Sequence, residues 1–477
     1  MLKIQQQRSN LFYGILSLPS TAMGFALSIQ IAALSWILTT QYDLDVHDVG
    51  FVWAAGPLAG IIGQVLIGVI SDKVWLWGGR RRPFIIIGGV FASLSLLALP
   101  NIDIISDSLG IAGVLGVAIA VALALDLSIN ISFNPTRSII ADVTPEGHER
   151  TRGYTWMQAV SGSFGVLAYG VGSFLGNYAL IYLGAVIVLL FSILPCFFIT
   201  EPEEITVSDE ANQTDASESI SFWQGLLIIK PLWGFLIYGI YALAARIADF
   251  QLDHFGVEIV CFIVTVVFVA QTIQAKHANE QGQSQEANDT AFQKVLAAHS
   301  FTWVGIQSMF IYMVSFVSFN QPELSDDAIG SVVNNSFLIL SFVAAILPVV
   351  ALQPVAKRIG AVKTHAWCIT SMAVGYLLLS FVGQNSIAIY CVMGLLGVGW
   401  ASTISLAFAI MSEHVKQSQM GTYMGLFNLS VVLPQLVASL GVGMAVSRID
   451  DKNVVFWIAA VCLAISSLSW FSVKQAD

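Results

Sequence analysis

Residues 68–83 read GVISDKVWLWGGRRRP: an acid, Asp72, closes one apolar run, and three successive arginines, Arg80, Arg81 and Arg82, open the next. The flanking runs, about 49–71 and 84–100, are each close to the ~20 residues a helix needs to cross a bilayer core. An acid at a helix end and an arginine cluster on the same side of the membrane can form charge-assisted hydrogen bonds with neighbouring helix ends. Such a clasp holds one mouth of a helix bundle shut and breaks when it opens. Plain topology accounts for the arginines, but not for Gly68 and Asp72 at this spacing. Asp72, Arg80, Arg81 and Arg82 are therefore read as gating residues, joined by Asp142 at the end of a later helix.

The rest of the chain agrees with a membrane setting. Of 477 residues 56% are hydrophobic and only 10% charged, with a mean hydropathy of +0.77. A soluble domain carries roughly 25% charged residues, so water cannot solvate this surface and lipid must. The cysteines at 196, 261, 368, 391 and 462 stand singly in apolar stretches, which predicts neither a disulfide framework nor a zinc site. No phosphate-binding loop or nucleophile motif appears. The reading is no enzyme, no cofactor, no metal and no nucleic-acid partner.

Further apolar runs fall at about 12–40, 110–141, 153–176 and 179–199, then at 228–249 and 256–275 between polar stretches, and then at 298–320, 330–353, 363–383, 387–412, 420–447 and 453–473. The pattern is six, two, six. The first run is longer than a signal-peptide core and is read as a retained span. The expected fold is all-α, with six-helix halves at 1–200 and 298–477 and a central segment, 201–297, carrying two additional helices, about 14 spans in all. Lys and Arg favour cytoplasmic loops. With both termini inside, Lys3, Arg8, Lys73, the arginine triplet, Arg150, Arg152, Lys276, Lys357, Arg358 and Lys416 lie on that side, and only Arg448 and Lys452 run against the rule. A weak internal repeat, GRRRP in one half and AKRIGAVK in the other, supports two related halves.

The segment resembles the loop motif of the major facilitator superfamily, and more narrowly the G-x-x-S-D-[RK]…G-R-R-R-P-F form of the sucrose–proton symporters and their glycoside–pentoside–hexuronide-type relatives. Trp53, Gly56, Pro57, Gly60 and Gln64 resemble their second span. Asp126, Asn130, Pro135, Arg137 and Asp142 resemble their fourth, and Met424, Gly425, Asn428, Pro434 and Gln435 their eleventh. His299, Trp303 and Tyr312 look like the bacterial branch. The likeness covers both halves but not the central pair. It implies a transporter of the major facilitator fold, and proton and substrate roles for Asp126 and Arg137.

Helical geometry bears on the same stripe without the resemblance. At 100° per residue Asp126, Asn130, Asn134 and Arg137 share one face of a helix. Ionisable groups at membrane depth are costly and mark function by default, so this face looks at a cavity. Asp126 and Arg137 are eleven residues apart, about 16 Å along the axis, too far for an ion pair. An acid without a counter-charge is suited to loading and releasing a proton, which makes Asp126 the coupling residue. Arg137 either releases Asp142 or engages a sugar hydroxyl. A packing role for Asp126, bonded by Asn130 and a neighbouring helix, is the plain alternative.

Sugars are held by amides, carboxylates and aromatic faces. Arg137, Asn130, Asn134, Gln64, Gln158, Gln307 and Asn428 are the substrate-binding candidates, with Ser28, Gln30, Trp156, Trp303, Tyr312, Asn334, Asn335 and Trp400 behind them. The expected function is proton-coupled symport of a disaccharide or α-glucoside, of the sucrose or maltose class, by a monomer in the lipid bilayer of a cell (inner) membrane. Two other readings are a 14-span proton/drug antiporter and a non-transporting membrane sugar sensor.

Overall fold

The computed structural model describes residues 3–61, 74–111, 113–145, 147–202, 222–248, 250, 256–275, 285–415 and 420–474. Among them there is no strand, only a two-residue bridge between Leu76 and Gly79. Lipid offers the backbone no hydrogen bonds, so an open chain crossing it must satisfy its own amides as helix. Eleven stretches of the described residues are long and apolar enough to cross a membrane. Two further expected runs, 153–176 and 228–249, are helical without meeting that standard, the first because Gly and Ser dilute its most apolar stretch, the second because its helix has 15 residues. The run at 49–71 begins as helix at Val46–Trp53, and much of the rest of it, with Gln64 and Asp72, lies outside the described residues.

The chain forms two compact units. The first takes Met1–Thr206 together with Gln321–Ser341. Its helices are α1 (Asn10–Thr40), α2 (Val46–Trp53), α3 (Arg82–Ala98), α4 (Leu115–Val143), α5 (His148–Leu175) and α6 (Asn177–Phe198). α1 lies against α5 and α6, and α3 against α4 and α6. Helices in lipid gain little from burying apolar surface against each other and associate through close packing at small residues. The Gly88–Gly89 pair of α3 shows how close: a β-carbon at Gly88 would sit 2.1 Å from Ser132 Oγ of α4, and one at Gly89 2.1 Å from Ser192 Cβ of α6. Large apolar side chains such as Phe174 and Phe197 point outward instead, as lipid-facing positions require.

The second unit takes Val207–Asn320 and Phe342–Asp477. It contains α7 (Trp233–Ile247), α8 (Gly256–Gln274), α9 (Gln285–Asn320), most of the later part of α10 (Asp326–Ile359), α11 (Ala361–Val382), α12 (Ser386–Glu413), α13 (Met420–Leu436) and α14 (Val454–Phe471). In its most apolar stretch α9 is 94% buried, which makes it the central helix, with α13 and α14 packed on it. The added pair, α7 and α8, packs together and against α9 and α13.

Three of the long helices change to a π turn: Gln30–Leu34 in α1, Pro348–Leu352 in α10 and Val437–Val442 following α13. Such turns disturb the regular ladder, and they concentrate at functional sites. In the second unit the Tyr312 hydroxyl of α9 donates to the carbonyls of Ala438 and Ser439 inside the π turn, 3.0 Å to each. The turn in α1 has a different use.

Candidate functional site

α4 runs unbroken from Leu115 to Val143, through Pro135. It carries Asp126 into the interior of the first unit, where the residue is 6% exposed. Gln30, the first residue of the π turn in α1, donates from Nε2 to Asp126 Oδ2 at 3.0 Å. Gly56 faces the carboxylate from the other side: a β-carbon there would stand 3.3 Å from both carboxylate oxygens. The W-x-x-G-P pattern thus has a steric reason, since any side chain at position 56 presses on the acid. Among the described residues no cation pairs with Asp126. Its carboxylate is held by a neutral amide, which can bond either protonation state, as donor of the amide N–H to the charged form or through the amide oxygen to the protonated form after a flip.

The remaining stripe divides its tasks. Asn130 donates from its side chain to the backbone carbonyl of Asp126 at 2.8 Å and so braces the helix at the acid. Asn134 is half-buried on the same helix. Arg137 is exposed; its guanidinium lies 4.2 Å from the centroid of the Phe133 ring, and its backbone carbonyl accepts from the Tyr154 hydroxyl at 3.3 Å. No carboxylate pairs with it among the described residues. Arg137 lies six residues before the end of α4, and its planar fork of donors is uncommitted among the described residues.

Asp142 is not the partner of Arg137. Arg81 takes it, Nε to Oδ2 at 3.1 Å, with both side chains nearly buried. Arg81 thus supplies an ion pair of the motif among the described residues, while the backbone amides of the triplet are held by a second acid. The amides of Arg80 and Arg81 donate to Glu201 Oε2 at 2.8 Å each, and the amide of Arg82 donates to Oε1 at 2.9 Å. Glu201 therefore caps α3, satisfying orphan amides at a helix start where negative charge is favoured. Gly79 is needed beside it, because a β-carbon there would lie 2.5 Å from Glu201 Oε1. Arg150 closes the other end of the motif, donating to the carbonyls of Ala141 and Thr144 at the end of α4.

Other candidates are scattered or already engaged. Gln158 is exposed on α5, and Ser28 donates to the Gly24 carbonyl at 3.0 Å. Asn334 donates to Asn177 Oδ1 and Asn335 accepts from Ser173, 2.7 Å each, while the Trp36 indole donates to the Asp326 carbonyl at 2.8 Å. These bonds hold Gln321–Ser341 within the first unit. In the second unit Gln307 is buried and accepts from Gln435 at 3.1 Å, and Asn428 is half-buried. Trp303 donates to His299 Nε2 at 2.9 Å, and the His299 ring stacks on Phe427, so this motif builds the core of that unit. Trp400 packs edge-on against Trp303 and Phe310.

Two residues have roles that the sequence does not disclose. Gln30 ranks only among the secondary sugar candidates, and nothing local marks it as the partner of an acid 96 positions away. Glu201 belongs to no motif. Its one signal is position: it is the first acid after α6, on the side where loop parity places the arginines.

A many-spanning helical protein with a buried acid that meets no cation among the described residues, an exposed arginine on the same helix and an ion pair at the helix ends is built as a solute transporter and not as an enzyme. The profile of the Major Facilitator Superfamily matches residues 16–439, and the chain belongs to that family. Sucrose transport protein SUC4 of Arabidopsis thaliana is 22% identical over 453 residues, covering 82% of this chain and 76% of its own. Sucrose transport protein SUT2 of Oryza sativa subsp. indica is 23% identical over 442 residues, covering 82% and 78%. The general alpha-glucoside permease of Schizosaccharomyces pombe is 30% identical over 95 residues, 17% of each chain. Among solved structures, the nucleoside transporter NupG superposes with a TM-score of 0.60 at 12% identity, over 99% of this chain and 99% of its own. An auto-inhibited peptide transporter of the POT family gives 0.65 at 12% identity, over 98% and 97%. At such identity these structures speak to the fold alone.

Proposed function

We propose that the chain is a proton-coupled symporter that imports a disaccharide or α-glucoside, of the sucrose or maltose class, by alternating access across a cell (inner) membrane. The observation that carries this reading is the setting of Asp126: buried in a span, bonded to the Gln30 amide and to no cation among the described residues. A proton can join or leave this carboxylate without breaking an ion pair, so its affinity is free to follow the water access of each conformation. Arg137, on the same face of α4 and uncommitted among the described residues, supplies donors for sugar hydroxyls, and Asn130, Asn134, Gln64, Gln158, Gln307 and Asn428 are the further substrate-binding candidates. The Arg81–Asp142 pair, with Arg80, Arg82 and Asp72, is the cytoplasmic gate, and Glu201 is its anchor.

In this reading the protein has fourteen crossings with both termini in the cytoplasm, halves at 1–200 and 298–477 around the central 201–297, and works as a monomer. The names of the relatives support a sugar of this class. One proton moving down 100 mV yields about 2.3 kcal/mol, and a pH unit adds about 1.4 kcal/mol. Together these sustain several-hundred-fold accumulation of a neutral sugar. Uptake of radiolabelled sucrose and maltose into proteoliposomes, with and without a protonophore, tests the reading. Accumulation that collapses with the protonophore supports it; accumulation that needs a sodium gradient, or drug efflux without sugar uptake, rejects it.

A further inference from the structure

The transport reading leaves α7 and α8 without a task. Near one end the two helices touch: a β-carbon at Gly234 would sit 1.9 Å from Thr265 Oγ1 and 2.6 Å from the Cys261 carbonyl. With α9, α14 and the continuation of α13 they line a partly open cavity of about 350 Å³. That is the lower range of small-molecule sites. Its walls are apolar, with Phe235, Phe262, Phe301 and Ile458 among them.

Two polar groups interrupt this lining without partners among the described residues. Tyr238 is 5% exposed, and its hydroxyl bonds to nothing. Glu258 lines the same cavity, and one of its carboxylate oxygens, Oε2, is buried and unbonded among the described residues. Burying a hydroxyl and a carboxylate oxygen unsatisfied is costly, and the cost is offset when a ligand bonds both. Their position says what kind. Glu258 lies in the first turn of α8, at the end of a span, whereas Thr265 lies seven residues deeper, about 10 Å along the axis. A slot with an acceptor at the end of a span, a donor deeper within it and apolar walls has the polarity of one bilayer lipid. A carboxylate there repels an anionic headgroup and selects one that brings a cationic hydrogen-bond donor.

We propose that this cavity binds an aminophospholipid, one acyl chain against α7, α8 and α9, its primary ammonium donating to Glu258 and the Tyr238 hydroxyl donating to an oxygen of the same headgroup. The added helix pair is then a lipid-binding attachment to the second unit.

Native mass spectrometry of the purified full chain, offered equal amounts of phosphatidylethanolamine, phosphatidylcholine and phosphatidylglycerol, tests this directly. Phosphatidylethanolamine is expected to be retained about tenfold over the other two, the worth of one hydrogen bond to a charged group. Phosphatidylcholine is the sharp control, because its quaternary ammonium carries no N–H. Glu258→Gln should bring phosphatidylethanolamine down to the phosphatidylcholine level, and Ala445→Trp, which fills the cavity, should remove it. Equal retention of the three lipids by the wild-type chain, a preference that survives Glu258→Gln, or occupancy by detergent alone overturns the proposal. The wild-type comparison decides even where a variant fails to fold.

Discussion

Removing the Glu201 carboxylate tests how the arginine motif is held. Three backbone amides, those of Arg80, Arg81 and Arg82, converge on it at 2.8, 2.8 and 2.9 Å, and the residue is 9% exposed. A hydrogen bond to a charged group contributes about 1.5–3 kcal/mol. Here the three share one carboxylate whose own burial opposes them, so each falls below that range, to about 1 kcal/mol, and the set is worth about 3 kcal/mol in total. Glu201→Ala should lose all of it. Glu201→Gln keeps one acceptor oxygen and should lose about half. Reversible unfolding of the purified protein by SDS in mixed micelles measures both. The second part of the expectation is coupling: Arg81 is held at its amide by Glu201 and at its guanidinium by Asp142. In a double-mutant cycle, Glu201→Ala and Asp142→Asn should therefore be non-additive by more than about 0.5 kcal/mol. A Glu201→Ala protein within about 0.5 kcal/mol of wild type, or strictly additive variants, would refute the anchoring argument.

Gly89→Val places a branched side chain where even a β-carbon is 2.1 Å from Ser192 Cβ, so α3 and α6 must separate; a stability loss of at least about 2 kcal/mol is expected in the same assay. Arg137→Lys keeps the charge but loses the planar fork, and should raise the KM for sugar about tenfold or more with folding intact; an unchanged KM removes Arg137 from the substrate site. Raising the external pH at constant membrane potential lowers the proton supply and should depress sugar uptake, whereas a flat profile would argue against the proton as coupling ion.

What the sequence makes legible depends on distance along the chain. The ends of the spans follow from local composition, and α1, α6 and α11 begin and end within a few residues of the expected runs. The polar stripe of α4 is a property of one helix, so its face can be computed from spacing, whereas the burial along it, Asp126 inside and Arg137 exposed, is set by the neighbouring helices. Partners are another matter. Gln30 meets Asp126 across 96 residues, and Glu201 meets Arg81 across 120. Which arginine of the triplet takes Asp142 depends on how α3 and α4 pack at Gly88, and nothing in the string RRR encodes it. The attachment of Gln321–Ser341 to the first unit rests likewise on polar pairs, Asn177–Asn334 and Ser173–Asn335, that look like any other polar residues in a span.

The coupling role of Asp126 is reached most directly by comparing two modes of transport in one preparation of Asp126→Asn. With an inward proton gradient and an interior-negative potential, the wild-type protein should concentrate the labelled disaccharide against its gradient, and the variant should only equilibrate it. Counterflow, which exchanges sugar without net proton movement, should persist in both. Uphill accumulation by Asp126→Asn at the wild-type level would contradict the account.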